Sequence, residues 1–192
     1  MFRIVCLFLA LLPVESFRPQ ITRRMLLSTG LPITMHKSIT NDRERSDSLI
    51  YVANNSLYFS GGLDEESIFG ITANIINLQK QKVPRINLYL QSSGGALLPS
   101  LGLVDLIRTS NIPIYTYVNG YVASAASLIS IVGTKRFIGR HGVILIHQLK
   151  MGTDFSKYNE IKDYYENSET LMNIIREIYL ENSGLSESKL EY

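Results

Sequence analysis

Three short stretches of this chain carry residue types able to move an acyl group. The first is Gly120-Tyr121-Val122-Ala123-Ser124-Ala125-Ala126-Ser127, where a glycine and small residues follow an apolar run. The second is Leu145-Ile146-His147-Gln148-Leu149 and the third is Gln91-Ser92-Ser93-Gly94-Gly95. A serine hydroxyl is a weak nucleophile near neutral pH and needs an adjacent base. An imidazole, which titrates near 6.5 in model peptides, can take that proton and later return it to a leaving amine. The tetrahedral intermediate between those steps needs N–H donors on one side. A serine where a strand gives way to a helix has such donors beside it, because the first N–H groups of a helix have no partner within it. Taken singly, each piece has a plainer meaning. Ser124 and Ser127 read as N-cap or packing serines, and His147 reads as a core histidine. His141, on a turn, and His36, near the N-terminus, are poorer candidates for a base.

The elements that must hold these residues follow from pattern. Ile112 to Val118 is rich in β-branched and aromatic residues and reads as a buried strand. It ends at a glycine turn at Gly120, and a helix-compatible stretch runs from Ala123 to Val132. Upstream, Leu49-Ile50-Tyr51-Val52 and Leu57-Tyr58-Phe59 flank Asn54-Asn55-Ser56 and predict a hairpin. Asp64-Glu65-Glu66 opens a helix with Ile68, Ile71, Ile75 and Leu78 on its inner face, and Pro84 bars its continuation. Ile86 to Leu90 is a strand, and Ser100 to Arg108 a helix burying Leu101, Val104, Leu106 and Ile107. Strands alternating with helices imply parallel pairing and an α/β fold. Lys135 to Ile138 and Val143 to Ile146 bracket a turn at Gly139-Arg140-His141-Gly142, with His147 closing the second strand. From Asp154 to Asn182 no Gly or Pro interrupts a helical repeat of apolar residues, and Asn182-Ser183-Gly184 forms its stop. That helix is longer than a small domain needs, so one stripe of it is expected to pack on another subunit.

Composition narrows the classes. The chain has 192 residues, 45% hydrophobic and 19% charged, enough for one domain with a sizeable core. Its net charge of +2 comes from residues 1–37, which hold five basic residues against one acid; the rest carries 14 basic and 16 acidic residues. Nucleic acid is therefore not an expected partner. The single cysteine, Cys6, lies in the first ten residues. Past it there is no thiol for a disulfide, a metal or catalysis, and no metal site is expected. Ile4 to Leu12 is an apolar run too short to span a bilayer, and basic, hydroxyl-bearing residues follow Phe17. Residues 1–37 thus read as a targeting leader, signal plus transit-like, similar to the bipartite leaders that deliver proteins to the plastid stroma. A mitochondrial presequence and a secretory signal are the alternatives. Residues 38–48 read as a flexible linker, and residues 49–192 as the domain.

The three stretches, in this order and on these elements, resemble the proteolytic subunit of the Clp protease, ClpP. Members of that family read roughly N-S-P-G-G before a helix, G-x-A-A-S-M-G at the nucleophile and M-I-H-Q-P at the base. The resemblance runs from about Leu49 to Tyr192. It implies a ClpP/crotonase-like fold of repeated β-β-α units with a protruding long handle helix. It also implies an ATP-dependent serine endopeptidase that hydrolyses unfolded proteins through a Ser-His(-Asp) acyl-enzyme. On this reading Ser124 is the nucleophile, His147 the base, and the backbone N–H groups of Gly95 and Ala125 the oxyanion hole, while Ser127 is packing. No cofactor is implied in the subunit itself, since ATP is used by a partner AAA+ unfoldase that docks in pockets lined partly by aromatics. Tyr89 matches one docking position, and Asn87 stands where an aromatic is frequent. Like subunits would form heptameric rings stacked as a tetradecamer, with no membrane span.

The chain departs from the pattern in places. Ser93 stands for Pro, Ala125 for Met and Leu149 for Pro. The triad Asp of the family would fall a few residues past Tyr192, so the domain is expected to be incomplete at its C-terminus. Asp105, Asp154 and Asp163 substitute for it by residue type alone. Three alternatives stay open: a catalytically inactive ring subunit, a crotonase-fold acyl-CoA enzyme, and a peptidase with a Ser-Lys pair using Lys135.

Overall fold

The computed structural model of the chain describes residues 48–150, 152 and 157–190. The leader and nearly all of the linker therefore lie outside the described residues. The hairpin forms as its composition predicts: β1 (Leu49–Ala53) and β2 (Ser56–Ser60) pair antiparallel, with Tyr51 opposite Tyr58. Helix α1 (Glu65–Lys80) starts at a capping box. Asp64 accepts from the Ser67 N–H at 2.8 Å, and the Asp64 N–H donates to the Ser67 hydroxyl at 2.9 Å. Its expected inner face, Ile68, Ile71, Ile75 and Leu78, is buried as the spacing requires.

Strand β3 (Ile86–Ser92), helix α2 (Leu97–Arg108) and strand β4 (Ile114–Ala123) follow, with β2, β3 and β4 parallel. Helix α2 begins three residues before the predicted start. It buries Ser100, Leu103, Val104 and Ile107, whereas Leu101 and Leu106 are only half-buried. The predicted turn at Gly120 is absent, because β4 runs straight through it. Leu90 of β3 faces Val118 but Ser92 faces Val122, so β4 holds extra residues there as a bulge. Gly120, at φ +88°, supplies the backbone angle.

The bulge lets β4 change neighbours. Its first half pairs parallel with β5 (Lys135–Ile138), and its last residues pair parallel with β6 (Val143–Leu145). β5 and β6 therefore lie end to end along one edge of β4, both parallel to it. The resulting sheet has six strands in the order β1-β2-β3-β4-β5, with β6 beside β4. Between β4 and β5 sits the short helix α3 (Ala125–Ile131), every residue of it buried.

Alternation along the strands sends Leu57, Phe59, Ile86, Leu88, Leu90, Ile114 and Val118 into one core with α1, α2 and α3. The residues between them point to the other face and build a row of rings. Tyr58, Tyr89, Tyr117 and Phe137 stand at paired positions on four strands, with successive centroids 4.5, 4.4 and 4.6 Å apart. Stacking at this range adds to simple burial.

Helix α4 (Tyr158–Asn182) starts after Lys157, later than the predicted Asp154; residues 153–156 lie outside the described set. Only its last turns reach the core, where Ile178 and Tyr179 are buried. Farther out, Tyr158, Ile161, Tyr165 and Ile174 are exposed, so the helix protrudes as expected. Arg136 secures its base by donating to the backbone carbonyls of Ile131 and Asn182, the C-terminal ends of α3 and α4. A short helix, α5 (Glu187–Leu190), follows and buries Leu190. No helix among the described residues is long and apolar enough to cross a membrane.

Candidate active site

Four strands and loops bring their carboxyl ends together at one edge of the sheet, and Ser124 sits at the centre of that edge. It is the residue between β4 and α3, with φ +53° and ψ −130°. Few L-residues adopt this conformation, which costs about 1–3 kcal/mol and persists only where surrounding contacts enforce it. The enforcing contacts are visible. The Ser124 N–H donates to the Leu145 carbonyl of β6 at 3.0 Å, and the Ser124 carbonyl accepts from the Ser127 N–H at 2.9 Å. The Ser124 hydroxyl caps no N–H of α3. A serine serving as an N-cap would do so, so the plainer reading of this residue loses its main support. A strained strand-to-helix turn that lifts a half-buried serine is the geometry of a nucleophile elbow.

Gly94 is pressed against this turn from the loop after β3, and Gly95 next to it is pressed against Leu63. A Cβ on Gly94 would stand 2.5 Å from the Ala123 carbonyl oxygen, 2.7 Å from the Ser124 Cβ and 3.1 Å from the Ala125 nitrogen. A Cβ on Gly95 would stand 2.1 Å from the Leu63 carbonyl oxygen. Both glycines also adopt positive φ, +87° and +152°. The loop is pinned on its far side, where the Leu63 N–H donates to the Gly94 carbonyl at 2.9 Å and Ala96 donates back to Leu63. The side chain of Ser92 braces the turn by accepting from the Gly94 N–H at 3.1 Å. The two backbone N–H groups expected to form an oxyanion hole, those of Gly95 and Ala125, thus belong to adjoining segments.

His147 lies two residues past the end of β6, the strand hydrogen-bonded to the Ser124 turn. It is exposed, and no hydrogen bond joins it to Ser124. Its Nδ1 is 2.6 Å from the Gln148 carbonyl oxygen. A carbonyl only accepts, so Nδ1 is the donor in this contact and Nε2 is the ring nitrogen left to face a hydroxyl. A general base at this position would act through Nε2. Catalytic hydrogen bonds are often open before substrate binds.

Other sequence candidates separate from this edge. Asp105 and Asp163 are exposed on α2 and α4 and make no bond to His147; Asp154 lies outside the described residues. Lys135 is on β5 with its Nζ 5.6 Å over the Tyr115 ring, on the outer face of the sheet. Among the described residues no group of three or more His, Cys, Asp or Glu could hold a metal ion.

The outer face carries a second feature. A cavity of about 120 Å³ is lined by Leu49, Tyr51, Tyr58, Phe59, Ser60, Tyr89, Gln91 and Asn119. Its lining takes in Tyr58 and Tyr89 of the ring row and does not include Ser124. Burial there pushes the Tyr89 hydroxyl up to about 12, with the neighbouring phenols of Tyr58 and Tyr117 adding to the shift. Tyr117 is raised for the same leading reason. Asn87, standing where an aromatic was expected, is buried; it donates to the Ser56 hydroxyl at 3.2 Å and accepts from the Tyr117 hydroxyl at 3.4 Å.

Sequence reasoning treated Ser127 as packing and attached no role to Tyr179. The structure joins their hydroxyls at 2.5 Å directly behind the Ser124 turn. The apolar repeat that located Tyr179 on a helix gave no sign of this, since 52 residues separate the pair in sequence.

Comparison with known proteins gives concordant matches. The family model described as Clp protease matches residues 42–192. The chain is 30% identical over 128 residues to an ATP-dependent Clp protease proteolytic subunit of Ligilactobacillus salivarius, covering 65% of this chain and 64% of the relative. It is 27% identical over 137 residues to the protein of the same name from Mesostigma viride, covering 70% and 59%. The chain thus spans less than two thirds of the length of these curated relatives. A solved ClpP1 variant from Listeria monocytogenes superposes with a TM-score of 0.64 at 19% identity, over 71% of this chain and 76% of that one. That likeness is one of fold.

Proposed function

The chain belongs to the Clp protease family, and from that premise we propose that it is the proteolytic subunit of an ATP-dependent serine peptidase, with Ser124 as nucleophile. The observation that carries this reading is the Ser124 turn: a positive-φ serine, uncapped, walled by Gly94, where no side chain fits. In the reaction, Ser124 Oγ attacks the scissile carbonyl carbon while its proton passes to Nε2 of His147. The carbonyl oxygen, now an oxyanion, takes hydrogen bonds from the Gly95 and Ala125 N–H groups. Collapse expels the amine, which leaves with the proton from His147. Water then hydrolyses the ester, giving the carboxylate product and restoring Ser124. His147 swings onto Ser124 when substrate occupies the edge.

Substrates are unfolded polypeptides, which a backbone-lined edge accepts without demanding particular side chains. The ring row and its cavity suit the docking of a partner unfoldase, and Asn87, buried and bonded to Ser56 and Tyr117, adds no aromatic ring to that surface. The exposed stripe on α4 suits packing against like subunits in stacked rings. The basic residues within 1–37 support import into an organelle, the plastid stroma being the reading the leader favours.

The test is covalent labelling. A fluorophosphonate probe is expected to modify Ser124 in the assembled protein and to leave Ser124→Ala unmodified. Labelling that persists in the variant removes Ser124 as the nucleophile. One observation favours a second reading, a ring subunit without catalysis: His147 is exposed and bonded to its own neighbour rather than to Ser124. An unlabelled wild-type protein selects that reading.

A further inference from the structure

Ser127 Oγ lies 2.5 Å from the Ser124 carbonyl oxygen and 2.5 Å from the Tyr179 hydroxyl. Ser127 is fully buried and Tyr179 only 4% exposed, beneath the half-buried Ser124. Proton counting fixes the direction of the chain. The Ser124 carbonyl can only accept, so the one hydroxyl proton of Ser127 goes to it. The Tyr179 hydroxyl must then donate to Ser127 Oγ.

The carbonyl so held belongs to the same rigid peptide plane as the Ala125 N–H. With the Ser127 N–H also donating to this oxygen, two hydrogen bonds on Ser124 O set the rotation of that plane. Fixing where the carbonyl points fixes where the N–H points, in the opposite direction. Ser127 rides on α3, and Arg136 ties the far end of α3 to the end of α4. Helix α4 therefore holds α3 at both ends, and its Tyr179 is the end that reaches the Ser124 turn.

We propose that Tyr179, acting through Ser127, is a positioning residue that aims the Ala125 N–H at the developing oxyanion, so that the base of the protruding helix takes part in acyl transfer. The inference rests on the serine-peptidase reading above and adds a residue to it. A preorganised donor matters most in the transition state, so its loss appears in kcat and not in KM. Deleting a donor outright typically costs on the order of 10²–10³ in rate. Releasing its brace costs less, roughly tenfold for the outer member of the chain and more for the inner one.

The experiment measures the rate at which a fluorophosphonate labels Ser124 in four proteins: wild type, Tyr179→Phe, Ser127→Ala and the double variant. Cleavage of a short fluorogenic peptide gives kcat and KM alongside, and a thermal midpoint shows that each protein is folded. The expected result is labelling slowed roughly tenfold in Tyr179→Phe and further in Ser127→Ala. KM should be unchanged, and the double variant no slower than Ser127→Ala, because the tyrosine acts through the serine. Either single variant carries the test if the other does not fold. Wild-type labelling rates in a folded Tyr179→Phe or Ser127→Ala protein, or losses that multiply in the double variant, overturn the proposal while leaving Ser124 as the nucleophile. Absence of labelling in the wild type overturns the peptidase reading and this inference together.

Discussion

The conformation of Ser124 sets up a reversal of an ordinary rule of stability. Replacing alanine by glycine in an unstrained element normally destabilises a protein by roughly 0.5–1 kcal/mol, because the glycine chain has more freedom to lose on folding. At φ +53° and ψ −130° the sign is expected to change. A residue bearing a Cβ is strained there by about 1–3 kcal/mol, and glycine is not. Ser124→Ala keeps the Cβ, and with it the strain and the contact with Gly94; Ser124→Gly removes both. Neither variant has a hydroxyl, so the difference between them isolates the backbone. Strain relief less the entropy cost leaves Ser124→Gly more stable than Ser124→Ala by about 1 kcal/mol. With a urea m-value of about 2 kcal/mol/M, the midpoint should move up by roughly 0.5 M. The comparison is made by urea unfolding at one protein concentration, since subunit association also contributes to apparent stability. A glycine variant that unfolds at lower urea than the alanine variant would refute the argument that this turn stores strain.

Two further perturbations probe the base of α4 and the ring row. Arg136→Ala leaves the Ile131 and Asn182 carbonyls without their charged donor, and it should lower stability by about 1.5–3 kcal/mol in denaturant titration; hydrogen exchange should show α4 loosened at its base first, and unchanged exchange there would contradict the anchoring role. Tyr89 ionises in the unfolded chain near 10 but in the folded one near 12, so above pH 10 the unfolded state holds fewer protons and stability falls as pH rises. That contribution is complete below pH 10 and is lost by about pH 12, and a tyrosinate absorbance titration should lose its latest component in Tyr89→Phe.

Local pattern reached much of this fold because local physics governs it. The hairpin around Asn54-Asn55, the inner face of α1 and the junction at Ser124 all follow from turn chemistry and helical or strand periodicity. The misreadings arise where a distant segment decides the outcome. Gly120 resembles a turn residue, but β3 on one side and β5 then β6 on the other hold it within a bulged strand. Leu103 rather than Leu101 is fully buried on α2, with Leu101 and Leu106 at the margin of the core, a difference that a count of apolar residues does not reveal. The strands at Lys135 and Val143 look like partners around a turn, yet both pair with β4, which offers each a separate length of free edge. For the site, residue type and order nominate Ser124, His147, Gly95 and Ala125, and the structure adds that Gly94 abuts the Ser124 turn while His147 makes no bond to Ser124. The torsion of Ser124, the tautomer of His147 and the reach of Tyr179 depend on contacts that no local pattern encodes.

The ring row on the outer face also gives the molecule a built-in optical signal. The chain contains no tryptophan and 11 tyrosines, so its near-ultraviolet circular dichroism arises from tyrosine and phenylalanine alone. Tyr58, Tyr89 and Tyr117 are stacked with centroids 4.4–4.5 Å apart and planes within 15° of parallel. Transitions on chromophores so close couple, and the coupled bands change sign and intensity with small rotations of any ring. A molecule that settles on this face therefore changes the spectrum, whereas a probe placed at Ser124, which is not part of the ring row, is expected to leave it unaltered. Occupancy of the outer surface is in this way readable in an unlabelled sample, apart from any event at the Ser124 edge.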